Sequence, residues 1–332
     1  MGQPVFLYFL LVFLGITAHS ANLQNKPSFQ NWIQSFKEKA KKRGISPKTL
    51  DAAFCKVDQP LEHVLSLDRH QPEIKKTFDE YYDKHIPALA PKGKMLFKKH
   101  QKLLTKIHKK YGVPPVIILA LWGRETNYGR ITGKTPVIHA LATLAYDGRR
   151  EQLFTQELFH ALHIAEESNL NPTSLIGSWA GAMGHCQFMP SSFRSHAVDE
   201  TGKGHKDIWN TLDDVFGSTA NFLKNLGWQA KEPWVIEVQV PPSYSPLTLS
   251  ESLHHKKPLS YWKGIGIKPL SNKAFPKSSM HAALICPEKS TRCFLVFDNI
   301  HVILKWNRSM NFALSVGMLA NKINDGELDY DA

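Results

Sequence analysis

Within Ala120-Leu121-Trp122-Gly123-Arg124-Glu125-Thr126-Asn127-Tyr128-Gly129, an acidic residue ends an apolar run and a glycine follows four positions later. Pro114-Pro115 suits a helix start, because a first-turn N–H would have no partner anyway, and Val116 to Trp122 is wholly apolar. Glu125 is therefore expected at the C-terminal end of a mostly buried helix. Burial disfavours a charged carboxylate and the negative end of the helix dipole acts in the same direction, so its pKa is expected to rise. A carboxyl that stays protonated near neutral pH can donate a proton to a reacting group. A glutamate so placed can also pair with Arg124 or cap a turn, and the motif alone leaves both roles open.

A second segment, Gly177-Ser178-Trp179-Ala180-Gly181-Ala182-Met183-Gly184-His185-Cys186-Gln187-Phe188-Met189, sets glycines among two hydrogen-bonding side chains and several apolar ones. Ser178 and Gln187 beside Trp179, Met183, Phe188 and Met189 form the mixture of polar and flat apolar groups that a sugar requires. Tight helix packing accounts for the same composition equally well. His160, His163 and Glu166 share a helix face at metal-ligand spacing, but a structural role is preferred there. G-x-S-x-G and H-E-x-x-H are both absent, so neither the serine-hydrolase elbow nor the zinc-protease helix is expected.

Taken together and in order, Trp122–Gly129, Gly177–Phe193, Asp199–Trp209 and Asn307–Leu319 resemble the membrane-bound lytic murein transglycosylase B family. The resemblance runs over most of residues 29–325. It implies that Glu125 is the sole catalytic acid and base, and that Ser178, Gln187 and Asn307 are substrate-contacting polar positions. Phe312 matches an aromatic position on the cleft wall, and Trp179 and Met183, whose apolar faces accompany Ser178 and Gln187, are expected to bind substrate. The implied fold is mainly α: a lysozyme-like helical core, an additional N-terminal helical domain and a small β-rich lobe. The implied reaction cleaves the MurNAc-β-1,4-GlcNAc bond of peptidoglycan without water, leaving 1,6-anhydro ends. Ordinary glycosidases need two carboxylates, and neither glycine-rich motif holds a second one. A hydrolytic muramidase or a catalytically silent peptidoglycan-binding scaffold on the same fold are the alternatives.

Asp199-Glu200-Thr201-Gly202-Lys203-Gly204-His205-Lys206-Asp207-Ile208-Trp209 resembles that family's calcium loop. Asp199, Thr201 and the His205 carbonyl fit alternate ligand positions, and Asp213 can close the site from the next helix. Lys203 stands at the fifth position, where an ammonium cannot ligate calcium. An ion-free turn is the preferred reading, and no cofactor is expected to be required.

The elements that must position these residues follow from periodicity. Phe29, Trp32, Ile33 and Phe36 recur at helical spacing, Ser46-Pro47 forms a cap pair, and a basic helix is predicted over Leu96–Tyr111, ending at Gly112. Further helices are predicted over Pro136–Tyr146, Arg149–Glu167, Asp213–Leu226 and Ser309–Ile323, the last returning to the middle of the chain. Trp234–Val240 alternates as a strand, and Ala282–Cys286 with Cys293–Phe297 reads as a hairpin. The expected segments are 1–21 as a signal peptide, 22–112 as a helical domain, 113–228 plus 299–332 as the catalytic core, and 229–298 as the β-rich lobe.

Phe6–Ile16 is apolar and uncharged, as in a secretory signal, and no cysteine follows it to carry a lipid. The expected destination is the periplasm. With 41 Lys+Arg against 29 Asp+Glu, the net charge of +12 suits an anionic polymer. Export makes that polymer peptidoglycan rather than nucleic acid. A monomer is expected, with other cell-wall enzymes as further partners. Of the four cysteines, Cys286 and Cys293 flank a short loop and are expected to pair in an exporting pathway. Cys55 and Cys186 are left either paired or as buried thiols.

Lys203 makes the ion loop testable. Millimolar calcium should leave the melting temperature almost unchanged, and a chelator-reversible rise of several degrees would overturn this reading.

Overall fold

The computed structural model describes residues 26–70, 77–244, 253–271, 274–276 and 279–324, so the segment expected as a signal lies outside the described residues. The chain divides into two compact, discontinuous units. Among the described residues, one gathers those up to His70 with Glu125–Thr219. The other gathers 77–124 with the chain from Ala220 onward. Each unit joins stretches that lie far apart in the chain.

In the first unit, α1 (Phe29–Lys41), α2 (Pro47–Phe54) and α3 (Glu62–Arg69) surround α7 (Val137–Asp147) and α8 (Glu151–Glu167). Helix α7 is buried along nearly its whole length. The aromatic stripe of α1 packs there, with Phe36 stacked on Phe159 and Trp32 edge-on to Tyr146. Ser46 caps α2 by accepting from Thr49 N–H, as its position before Pro47 predicts. Asp68, 1% exposed, accepts from Arg150 and lies 3.6 Å from Arg149, joining the end of α3 to the start of α8. A two-stranded sheet of β1 (Thr135–Pro136) and β2 (Ile176–Gly177) and helix α9 (Pro190–His196) follow. Glu157 of α8 caps α9, accepting from both the N–H and the hydroxyl of Ser191. Helix α10 (Leu212–Asn225) passes from this unit into the second.

The second unit holds α4 (Phe78–Lys99), α5 (Gln101–Tyr111), α6 (Pro115–Thr126) as far as Arg124, and a five-stranded antiparallel sheet in the order β4-β6-β7-β3-β5. These strands are β3 (Val235–Gln239), β4 (Lys257–Pro258), β5 (Lys268–Pro269), β6 (His281–Ile285) and β7 (Cys293–Val296). Helices α11 (Leu259–Gly264), α12 (Asp298–Trp306) and α13 (Met310–Ile323) complete it. Val238, Leu259, Trp262, Ile267, Leu295 and Phe297 form the buried core of the β-rich lobe. Helix α13 packs chiefly along α4, with contacts to α12 and β3. The helix expected over Leu96–Tyr111 is in fact two, broken at His100 (φ −107°, ψ 17°), whose ring meets Trp122 edge-on.

The expected disulfide joins Cys286 and Cys293 across the β6–β7 hairpin. The loop it closes clasps the start of α4. Asp79 accepts from the hydroxyl of Ser290 (2.7 Å) and from the N–H of Thr291 (2.9 Å), and Arg292 lies over the Tyr82 ring at 4.0 Å. Partial burial acts to raise the Asp79 carboxyl, but these donors and Arg292 outweigh it and hold it below the usual carboxylate range. A depressed folded-state pKa gives stability that is fully present above the unfolded value, near 3.9, and lost as pH falls through the folded one. Asp79→Ala should therefore cost about 1–2 kcal/mol at pH 7, with the gap from wild type narrowing below about pH 4. Denaturant unfolding at both pH values checks this, and an equal gap at both would refute it.

Candidate active site

Helix α6 places Glu125. Pro114 O accepts from Ile117 N–H at 3.0 Å, and Val116 to Trp122 are all buried. Glu125 is 6% exposed and Thr126 1%. The chain then leaves the helix through three consecutive left-handed residues, Asn127 (φ 52°), Tyr128 (φ 58°) and Gly129 (φ 78°). Such a run is costly for side-chain-bearing residues, above all a tyrosine, and persists only where its surroundings enforce it. The Thr126 hydroxyl accepts from Gly129 N–H (2.9 Å) and donates to His185 O (3.3 Å), so one residue closes the turn and ties it to the glycine-rich segment. A side chain at Gly129 would meet the His185 ring at 2.4 Å.

The glycine-rich segment folds tightly on itself. A Cβ at Gly133 would lie 2.0 Å from Gly177 O, one at Gly177 2.1 Å from Ala182 O, and one at Gly184 2.5 Å from Ile208 O. These glycines let backbone approach backbone, where composition had also allowed approach to a ligand. Ser178 Oγ accepts from Ala180 N–H and Ala182 N–H (3.3 and 3.0 Å). Gln187, itself left-handed (φ 51°), donates to Thr132 O (3.0 Å) and Gly184 O (2.8 Å). With both amide hydrogens engaged, what Gln187 offers a ligand is its carbonyl oxygen. Met183 is fully buried, pairing its backbone with Gly177 and Phe188, so it presents no surface to a glycan, contrary to expectation. Trp179 is partly exposed.

Cys186, a free and fully buried thiol, is pushed up to about 12 by burial; a hydrogen bond with Thr219 opposes this and the nearby Glu125 adds to it. It is no nucleophile at neutral pH. Burial likewise lowers His185, against the pull of Asp207. Cys55 is a free, exposed thiol, so the two are not paired.

Four acidic side chains are buried among the described residues: Asp68, Glu125, Glu157 and Asp214. Asp68 pairs with Arg149 and Arg150 just before α8, Glu157 caps α9, and Asp214 accepts from Glu200 N–H and Asp207 N–H, both at 2.8 Å. Asp147 pairs with Arg69 at the surface. His160 meets Arg194, and Glu166 accepts from Ser46, so that trio is structural.

The Asp199 loop closes on its own donors. Burial acts to raise the Asp199 carboxyl, but the Thr201 hydroxyl and the N–H groups of Gly204 and Gly202 outweigh it and hold it at about 2. Asp214, not Asp213, reaches into the loop from α10. Among the described residues no cluster of three or more His, Cys, Asp or Glu has metal-binding geometry. Lys203 stands within this loop, and Asp199 accepts from the N–H groups of Gly202 and Gly204.

Asn307 and Phe312 belong to the second unit. Asn307 Oδ1 accepts from Ser309 N–H at 3.0 Å between α12 and α13, and Phe312 is 5% exposed. The Arg124 guanidinium lies 4.8 Å from the Tyr81 ring and 5.9 Å from that of Phe312, and donates to the Tyr81 hydroxyl. Thr126, Tyr81 and this turn of Arg124 escaped sequence reasoning; only a hydroxyl directly after the acidic residue signalled the first. In chemical terms, the first unit presents a buried carboxyl at a rigid helix end beside hydrogen-bonding backbone, an arrangement able to give and take a proton.

The transglycosylase SLT domain family model matches residues 28–321. The membrane-bound lytic murein transglycosylase B of Escherichia coli (strain K12) is 32% identical over 243 residues, 71% of this chain and 64% of that protein, so the match spans under two thirds of the relative's length. SltB3 of Pseudomonas aeruginosa, solved in complex with NAG-NAM-pentapeptide, is 38% identical with a TM-score of 0.84, over 90% of this chain and 80% of that one. The Escherichia coli lytic transglycosylase Slt35 in complex with calcium is 30% identical with a TM-score of 0.73, over 90% and 93%. The likeness thus extends through both units, and this chain belongs to the transglycosylase SLT domain family.

Proposed function

We propose that this protein is an exported lytic transglycosylase of peptidoglycan, working in the periplasm, with Glu125 as its acid and then its base. The observation that carries this reading is a buried glutamate at a helix end, followed by a turn that Thr126 ties to the glycine-rich segment. Glu125 gives its proton to O4 of the departing GlcNAc as the C1–O4 bond of MurNAc breaks. The resulting carboxylate takes the proton of the MurNAc C6 hydroxyl, whose oxygen bonds to C1. The substrate supplies its own nucleophile, so one carboxyl serves both halves and water adds nothing, whereas ordinary glycosidases divide the work between two. Ser178, Gln187 and Trp179 would hold the glycan beside it, Gln187 through its carbonyl oxygen. No ion or cofactor enters this scheme. The likeness to SltB3, solved in complex with NAG-NAM-pentapeptide, supports the substrate class.

Glu125→Gln keeps the side chain's shape and hydrogen bonding but cannot transfer the proton. It should fold normally, still bind glycan and lose about 10²- to 10⁴-fold in turnover. Mass spectrometry of products released from purified sacculi provides the measurement. Retention of more than about a tenth of wild-type activity would remove Glu125 from this role. Reducing ends in place of anhydro ends would make the enzyme a hydrolytic muramidase.

A further inference from the structure

From Lys84 to Arg124 the chain contains no acidic residue and nine lysines, against a net charge of +12 for the whole protein. Lys98 and Lys99 in the last turn of α4, with Lys102, Lys106 and Lys109 along α5, are all exposed, and Met95 beside them is 58% exposed. Among the described residues none of these five lysines is in an ion pair. The buried face of α5 is Leu104, Ile107 and Tyr111, so the lysines form the opposite, solvent-facing stripe.

An ordinary solvated helix interleaves charges of both signs at i,i+3 and i,i+4, where they attract. Here Lys102–Lys106 and Lys106–Lys109 on α5 place like charges at those spacings, where they repel, and Lys98 and Lys99 end the preceding helix with two more. That arrangement costs the free protein stability, and an anionic partner relieves it. We propose that this α4–α5 stripe is an electrostatic docking surface for the peptide-stem carboxylates of peptidoglycan. This rests on the function proposed above: each stem ends in a carboxylate, and many stems along a strand make a polyanion that meets several lysines at once. None of the five lies in the motifs that carry Glu125, Ser178 or Gln187.

The test uses the full exported protein and a Lys98→Gln/Lys99→Gln/Lys102→Gln/Lys106→Gln variant, with the corresponding four-fold Lys→Arg variant as the charge-retaining control. Co-sedimentation with purified sacculi is followed from about 50 to about 500 mM salt, where screening tightens severalfold. Wild type and the Arg control should bind at low salt and release as salt rises. The Gln variant should bind roughly tenfold more weakly at low salt and lose most of that salt dependence. It should digest sacculi more slowly yet cleave a short soluble NAG-NAM oligosaccharide at the wild-type rate, with a melting temperature no lower than wild type because the like-charge repulsion is relieved. Sacculus binding by the Gln variant equal to wild type overturns the proposal. So does a loss of binding confined to vesicles of anionic phospholipid, which would make the stripe a membrane contact. If wild type releases no product from either substrate, the enzymatic reading fails while the binding series still judges the stripe.

Discussion

A carboxyl kept out of water at a helix end is the constraint on which the rest of the first unit depends. The chain must leave α6 immediately after Glu125, and it does so through Asn127, Tyr128 and Gly129, all left-handed. Asparagine tolerates that conformation, but a tyrosine does not favour it. It is held by the Thr126 hydroxyl, by the His185 ring lying where a side chain at Gly129 would be, and by Gln187 reaching across to Thr132. The glycines at 133, 177 and 184 serve the same end, since each lets one stretch of backbone press on another and so fixes where the turn after Glu125 lies.

Comparable economy governs the second unit. Trp234 donates to Gly317 O and to Asn321, and a side chain at Gly317 would meet Val235 at 2.5 Å, so strand β3 and helix α13 touch closely without a side chain between them. Asn299, fully buried, uses its amide on Gln229 and Glu232 and fastens the start of α12. Polar groups in both units are placed where backbone would otherwise go unpaired, which is the usual condition for burying them.

The buried acids divide by partner. Asp68 meets arginines, Glu157 meets a helix start and Asp214 meets loop N–H groups, so each charge is offset where it lies. Glu125 differs in its position, in the last turn of a helix and beside the buried Cys186 thiol. The basic excess, by contrast, is concentrated on exposed turns of α4 and α5.

Features governed by neighbours along the chain were legible in the sequence. Apolar periodicity and the Pro114-Pro115 start placed Glu125 at its helix end, alternation located β3 and the β6–β7 hairpin, and two cysteines flanking a short loop announced their bridge. What tertiary structure alone decided depends on residues far apart in sequence. Met183 turned inward because its backbone pairs on both sides, Asp214 displaced Asp213 in the loop, and α13 joined α4 through contacts more than two hundred residues apart. His100 broke a helix whose periodicity runs through the break, and Arg124 turned toward Tyr81. A local pattern specifies which face of a helix is apolar, but which surface covers that face is settled only when the whole chain packs.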